Sequence, residues 1–456
     1  MLATTTGYQT RAFGEAAAQL GVDLVFATDR CHLIEDPWQD GAVSIRFYDD
    51  EASAAAILAS AAERPIDGIV VVGDRPTIIA ARVAQGLGIP WHPPHAAAIA
   101  THKLRTRERL REAGCPVPPF AAFAINPGPS AIGDLPATVP FPLVVKPVAL
   151  SGSRGVMRAN DAGELASAIG RLRALLQTPD VRAERNEAHD TALVEGFIPG
   201  REYAIEALMH DGALHVLAIF DKPDPLDGPF FEETIYVTPS TAPEPEQRAI
   251  ADTVARAAAA IGLHHGPVHA ECRVNADGVF VLEVAPRPIG GLCARALAFE
   301  AHPQSAITNG PIPNHPITNQ SSIINHQSSI SGMSFEELLL RHALGEDVRT
   351  WRRARDASGV MMIPIPRRGV YRGVDGVEAA RRVPHVDDVR ITAKADQLLV
   401  PLPEGASYLG FIFARAAAPE LVVRALRDAH AQLAFHVAPE FPVLASASIN
   451  YNHGHG

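Results

Sequence analysis

The sequence predicts an α/β protein built of several units, and three observations predict it. Helices and strands alternate over residues 1–95, strands dominate residues 141–291, and a small α+β unit follows residue 345. At 456 residues the chain is too long for one core, so two to four domains are expected. An apolar content of 47% against 20% charged residues marks a globular chain. The net charge of −11 supplies no basic stripe for phosphates, so nucleic acid is not an expected partner. The four cysteines (Cys31, Cys115, Cys272, Cys293) form no C-x-x-C pair, which argues against a thiolate cluster and fits a reducing cytoplasm. No apolar run reaches the roughly 18 residues of a membrane helix and no signal peptide is recognised, so no membrane partner is expected.

In the first unit, helices near 11–20, 51–62 and 76–86 precede the strands VDLVFATD, IDGIVVVGD and GIPWH. That alternation predicts a parallel sheet wrapped by helices. A second unit over 96–345 opens with a basic helix running to Gly114, which the prolines of CPVPPF stop. Its strands are PLVVKPV, ALVEGFI and EYAIEALMHDGALHVLAIF, and helices are expected over 161–176 and 244–261. Within it, 301–331 loses the Ala and Arg common elsewhere and carries a tandem heptad, ITNQSSI and INHQSSI. Such a segment cannot bury a core and is expected as a disordered insertion, with a mobile lid as the alternative. SFEELLLRHALGEDV follows as an amphipathic helix. The third unit, 346–440, takes its strands from VMMIPIP, VRITA, LLVPLP and YLGFIFA, and residues 441–456 are expected as a disordered tail.

The most informative segment is HAECRVNADGVFVLEVAPR. It reads as two strands around Asn275-Ala276-Asp277-Gly278, a type I turn closed by a glycine bulge. A three-residue loop pairs Asn275 with Val279 and sets Glu271 opposite Glu283 on one face. Facing carboxylates repel unless a cation lies between them, and two such oxygens on adjacent strands suit Mg²⁺. Taken alone, the segment reads more readily as an exposed hairpin with two solvated glutamates, or with one glutamate paired to Arg273 or Arg287.

Four further features lie in order along the chain. VVKPVALSGSRGV puts Lys146 on a strand ahead of the small-residue loop Ser151-Gly152-Ser153-Arg154-Gly155, whose backbone N–H groups can close around phosphate. Lys103 stands on the basic helix. LVEGFIPGREYAIEAL offers Glu195 and the backbone at Phe197–Ile198 to an adenine edge, with Glu202 for ribose hydroxyls. Arg287 shares a face with Glu283 if the strand continues, where its charge can meet a transferring phosphoryl group. Each is weak alone: a tight hairpin, a surface lysine, a strand-end charge.

Together, in this order, they resemble the ATP-grasp superfamily over residues 1 to about 300 and again over 333–440. The resemblance implies an ATP-grasp fold: an N-terminal Rossmann-like domain, a two-lobed ATP-binding α+β domain and a small C-terminal α+β domain. It implies ATP and Mg²⁺ (or Mn²⁺) as cofactors and activation of a carboxylate as an acyl phosphate that an amine attacks. Lys103, Lys146 and the Ser151–Gly155 loop would meet the phosphates, Glu195, Phe197 and Ile198 the adenine, and Glu202 the ribose. Glu271 and Glu283 would hold the metal, and Arg287 would steady the acyl-phosphate reaction. Glu283-Val284-Ala285-Pro286-Arg287 departs from the E-x-N-P-R of many members, since Ala285 cannot ligate a metal. That variant, with the C-terminal block, is similar to the L-amino acid ligase and carnosine synthase-like branch. In that branch Lys222 would meet a phosphate or substrate carboxylate and Glu233 an incoming amine, and His269, in phase with Glu271, would line the pocket. The expected partners are small molecules, with a homodimer as in many relatives. A biotin carboxylase-like enzyme and a catalytically dead ATP-binding protein stay open as alternatives.

Overall fold

The computed structural model describes residues 1–3, 9–29, 41–125, 139–301 and 332–440. Cys31, the heptad repeat with nearly all of the insertion expected at 301–331, and the tail expected at 441–456 lie outside the described residues.

The first elements are α1 (Gln9–Leu20), β1 (Ala27–Thr28), β2 (Val43–Ser44), α2 (Asp50–Glu63) and α3 (Thr77–Leu87). β1 and β2 pair in parallel, and Leu2 bridges both Ala27 and Val71 in parallel, so the small sheet has the expected direction. Asp49 caps α2 by accepting from the Ala52 N–H at 3.0 Å, and Gly88 ends α3 in the left-handed conformation, φ +68°. The single helix expected through 96–114 is corrected to two, α4 (Pro94–Ala100) and α5 (Lys103–Glu112). Thr101 ends the first, and His102 caps the second, its ring accepting from the Arg105 N–H at 3.3 Å. Lys103 therefore starts a helix.

Next come β3 (Phe120–Ala124), β4 (Leu143–Pro147), β5 (Met157–Ala159), α6 (Ala162–Leu176), α7 (Pro179–Arg182) and β6 (Thr191–Gly196). The four strands form an antiparallel sheet in the order β3-β6-β4-β5. Leu165, Ile169, Leu172 and Leu176, at helical spacing on α6, cover one face of it.

A larger sheet begins with β7 (Arg201–His210), β8 (Ala213–Asp221) and β9 (Ile235–Thr238). α8 (Glu244–Ile261), β10 (Gly266–Asn275) and β11 (Gly278–Ala285) follow. After β12 (Ala298–Ala301), β13 (Met333–Ser334), α9 (Phe335–Ala343) and β14 (Trp351–Arg353) come β15 (Ala357–Ile363), β16 (Gly369–Asp375) and α10 (Val377–Arg381). The last elements are β17 (Val386–Ile391), β18 (Leu398–Leu399), β19 (Gly410–Ala416), α11 (Pro419–His430) and β20 (Ala434–Ala438). The sheet order is β11-β10-β7-β8-β9-β15-β19-β17. A cut at 345/346 thus runs through one continuous sheet, with β15, β17 and β19 added to its far edge.

The site is aimed by the two-residue period of β7. Tyr203, Ile205, Ala207 and Met209 face Ile250, Val254 and Ala257 of α8 in an apolar core. Glu202, Ala204, Glu206 and Leu208 point the other way, and across the ladder Arg273, Glu271 and His269 of β10 sit opposite Glu202, Ala204 and Glu206. One face is hydrocarbon and the other carries the ionisable groups.

Candidate active site

Between the two sheets lies a cavity of roughly 460 Å³. Its facing glutamates are positioned by two irregularities that offset each other. β10 and β11 pair Asn275 with Gly278, which corrects the expected Asn275–Val279 loop to a two-residue turn. Asn275 Oδ1 accepts from the Asp277 N–H at 2.8 Å, and Gly278 takes φ +121°. A turn this tight would set Glu271 opposite Leu282. Instead the ladder runs to Cys272–Val281, bulges at Leu282, and resumes with Glu271 opposite Glu283. Arg107 of α5 holds the bulge, donating to Val281 O at 3.1 Å and Leu282 O at 2.9 Å.

Arg107 is also half of a buried charge cluster. Its Nε donates to Glu195 Oε1 at 2.5 Å, while Lys146 Nζ pairs with Glu195 Oε2. Burial alone would raise the Glu195 pKa, but the two cations hold it at about 2; burial lowers that of Lys146 against the pull of Glu195. Glu195 borders the cavity with each oxygen accepting from one of these cations. Phe197 and Ile198 do line the cavity. The Phe197 N–H is taken by Pro142 O at 2.8 Å and Ile198 O by Arg273 at 2.8 Å; the Ile198 N–H has no partner among the described residues. Arg158 stands 4.2 Å from the Phe197 ring centroid.

Lys103 Nζ donates to Leu150 O at 2.6 Å and lies 3.5 Å from Glu283 Oε2. It joins Lys146, Ser151, Gly152 and Ser153 on the cavity wall. Arg154 and Gly155 do not join them, a second correction. Arg154 turns outward to Asp180 at 2.7 Å and Glu404 O at 2.9 Å, and the Gly155 N–H is spent on Pro403 O at 2.7 Å.

A second charge cluster surrounds Lys222, whose ammonium donates to Glu202 at 2.8 Å, to Glu271 Oε1 at 2.8 Å and to Glu233. An ammonium has three donors, and all three are used beneath the wall, so the expected contact with a phosphate or substrate carboxylate is corrected. Glu202, which lines the cavity, also accepts from Arg273 Nε at 2.8 Å. Burial, then the charge of Glu271, pushes the Glu233 carboxyl up to about 8. Burial works the other way on Glu271, but Lys222 and His269 hold it well below its ordinary value. His269 lines the cavity; its Nδ1 meets Glu206 Oε1 at 2.5 Å and its Nε2 lies 3.7 Å from Glu271 Oε1. Burial opposes charge on the ring, yet Glu206 raises its pKa to about 9. Tyr236 OH reaches Glu271 Oε1 at 3.2 Å.

Arg287 lies past the end of β11 and still enters the cavity. Its guanidinium grips Asp74 at 2.8 and 3.3 Å and stands 3.9 Å from Glu283. Burial would raise the Asp74 pKa, but Arg287 brings it below normal. Asp74, Arg107, Tyr236, Arg273 and Glu206 were missed in the sequence. Only parity with Glu202 along EYAIEAL could have flagged Glu206; the other four join segments far apart in the chain.

Against known proteins, residues 139–296 match the ATP-grasp domain model, 14–91 the ATP-grasp N-terminal domain and 361–438 the L-amino acid ligase C-terminal domain 2. The crystal structure of an L-amino acid ligase from Bacillus licheniformis is similar at 25% identity and a TM-score of 0.72, over 96% of this chain and 98% of that one. Carnosine synthase 1 of Gallus gallus is 28% identical over 62% of this chain and 31% of its own length. A D-alanine–D-alanine ligase of Syntrophotalea carbinolica is 26% identical over 56% and 68%. The chain spans 31 to 64% of the length of the first curated relatives it matches. No helix among the described residues is long and apolar enough to cross a membrane. Domain models in order along the chain and a fold shared with a ligase over nearly its whole length assign it: the chain belongs to the ATP-grasp superfamily and is similar to the L-amino acid ligases and carnosine synthases.

Proposed function

We propose that the chain is an ATP- and Mg²⁺-dependent carboxylate–amine ligase that activates an amino acid or related carboxylate as an acyl phosphate and joins it to an amine. One observation carries the reading: Glu271 faces Glu283 in a cavity whose wall also holds Lys103, Lys146 and Arg287. Its roughly 460 Å³ is within the range of small-molecule sites.

The donor set fits a hard cation. Lys103 and Arg287 approach Glu283 only to 3.5 and 3.9 Å, and the Lys222, Tyr236 and His269 contacts of Glu271 all fall on Oε1. Glu271 and Glu283 would hold Mg²⁺ or Mn²⁺, which neutralises phosphate charge when bound. Lys103, Lys146 and the Ser151–Ser153 backbone bind the triphosphate. The Ile198 N–H and the Phe197 ring receive adenine. Glu195 positions Lys146, and Glu202 positions Lys222 and Arg273.

A substrate carboxylate oxygen attacks the γ-phosphorus, the bond to the β,γ-bridging oxygen breaks, and ADP leaves. Arg287, fixed by Asp74, faces the charge on the transferred phosphoryl group. The amine nitrogen then attacks the acyl carbon and the carbon–oxygen bond to phosphate breaks. The proton lost from nitrogen leaves with the phosphate. Glu233, on the cavity wall, orients the amine, and Lys222 holds Glu233 and Glu271 in place.

The test is a screen of amino-acid pairs with Mg·ATP, reading ADP and phosphate release and the product by mass spectrometry. The expected product has the summed mass of both substrates less one water, with bicarbonate and biotin absent. ATP turnover that needs bicarbonate and ignores amino acids would overturn the reading.

A further inference from the structure

At the opposite end of β7 and β10 from the cavity, three histidines meet. His210 ends β7, His265 immediately precedes β10, and His342 lies in the last turn of α9. His210 Nδ1 and His342 Nε2 are 3.2 Å apart. The His265 and His342 rings stack with centroids 4.3 Å apart, and the His210 ring is 5.1 Å from that of His265. One ring nitrogen from each lies within 4.8 Å of the other two.

A second observation points to a ligand. The His265 side chain is only 7% exposed, and its Nδ1 has no hydrogen-bond partner. Asp211 Oδ1 stands 3.5 Å away, outside hydrogen-bond geometry, and Asp211 Oδ2 is 3.7 Å from His210 Nε2. A buried imidazole nitrogen left unpaired is unfavourable unless something binds it. Asp211 is mostly exposed, and its side of the cluster gives an ion a way in. Neighbouring His92 is already committed, its ring contacting Pro267 O at 3.0 Å and accepting from the His264 N–H at 3.2 Å.

We propose that His210, His265 and His342 form a second metal site, for Zn²⁺, with the Asp211 carboxylate completing or orienting the set. Imidazole suits zinc; the ion would replace the 3.2 Å hydrogen bond between His210 Nδ1 and His342 Nε2, and the His265 ring would turn out of its stack on His342 to bring its lone pair to the ion. A carboxylate behind a ligating histidine fixes its ring and raises its basicity. Bound here, the ion ties the β7–β8 turn, the start of β10 and α9 together. It makes no contact with the ATP-side chemistry and does not depend on the proposed reaction.

The full chain, stripped with chelator and desalted, is titrated with Zn²⁺ in excess Mg²⁺ against a chromophoric competitor. One equivalent is expected to bind and to raise the melting temperature by mass action. His210→Gln, His265→Gln and His342→Gln should each weaken binding at least about tenfold, the lower end of what losing an outer partner alone costs. Melting in chelator checks that the variants fold. Should one not fold, Co²⁺ added to the unaltered chain should give the intense visible bands of a tetrahedral nitrogen site. No stoichiometric binding, binding indifferent to all three substitutions, or a weak octahedral Co²⁺ spectrum would reduce the cluster to packed neutral rings.

Discussion

Two buried charge clusters border the cavity, and they are built with opposite excess. Around Glu195, two cations, Arg107 and Lys146, share one carboxylate. Around Lys222, three carboxylates, Glu202, Glu233 and Glu271, share one ammonium, with Arg273 on Glu202 alone. Neither is a closed set of ion pairs. The first has positive charge left over for an anion; the second has a third carboxyl, Glu233, which keeps its proton until a cation arrives to replace it. A nucleotide triphosphate with its metal ion and an ammonium-bearing substrate would supply the two missing signs. The contrast explains why both clusters can be buried, since each unbalanced charge has a ligand to answer it.

The comparison breaks most visibly at the acid-rich side. Glu283→Gln, and separately Glu271→Gln, should lower the rate of ADP release by about 10³-fold or more, on the scale of losing a preorganised electrostatic group. Circular dichroism should show the fold intact, because neither residue is the sole partner of a buried cation. Activity within tenfold of the parent would mean that the facing glutamates hold no metal.

At the cation-rich side the largest effect should be on stability. Glu195→Gln leaves Arg107 and Lys146 buried with no carboxylate, and breaking such a set costs about 3–5 kcal/mol. Thermal or denaturant unfolding reads it directly. Glu233→Gln, which removes one acid of three, should change stability far less. Equal losses would erase the distinction between the clusters.

Arg287 sharpens it further. Arg287→Lys keeps the charge but gives up the two-point grip on Asp74, so the rate should fall about 10²-fold. Asp74→Asn, leaving Arg287 in place but less firmly held, should fall less and show it in kcat more than in KM. A larger loss for Asp74→Asn would make the aspartate, not the arginine, the group that meets substrate.

Much of this was legible in the chain. Lys103, Lys146, Ser151–Ser153, Phe197 and Ile198 stand out in the sequence through their order and the resemblance it carries, and all border one cavity. The facing of Glu271 and Glu283 was read through a turn one residue too long, and a bulge at Leu282 supplied the residue the turn did not. Alternation along a strand predicts facing but not where a ladder slips. Arg154 shows the complementary failure. A glycine-flanked arginine beside a phosphate loop reads as a ligand, but its direction is set by Asp180 and the Glu404 carbonyl, 250 residues away in the case of Glu404. Arg107 with Glu195 and Asp74 with Arg287 are likewise tertiary pairs, 88 and 213 residues apart, that no local spacing encodes.

The last expected effect separates the clusters by the sign of their pH dependence. Glu195 has a depressed pKa of about 2, so it binds fewer protons folded than unfolded; its stabilisation is present above the ordinary Glu value of 4.5 and is lost as pH falls toward 2. Glu233, raised to about 8, does the reverse. Between pH 4.5 and 8 the folded chain keeps a proton that the unfolded chain has released, so stability declines with rising pH, by at most about 1.4 kcal/mol per unit. Melting temperatures of the unaltered chain should therefore drift down from pH 5 to 8, and Glu233→Gln should flatten that drift while leaving the acid limb unchanged. A parent and variant with the same slope would place the proton elsewhere among the three carboxylates, and would leave Glu233 as a fixed negative charge facing the amine.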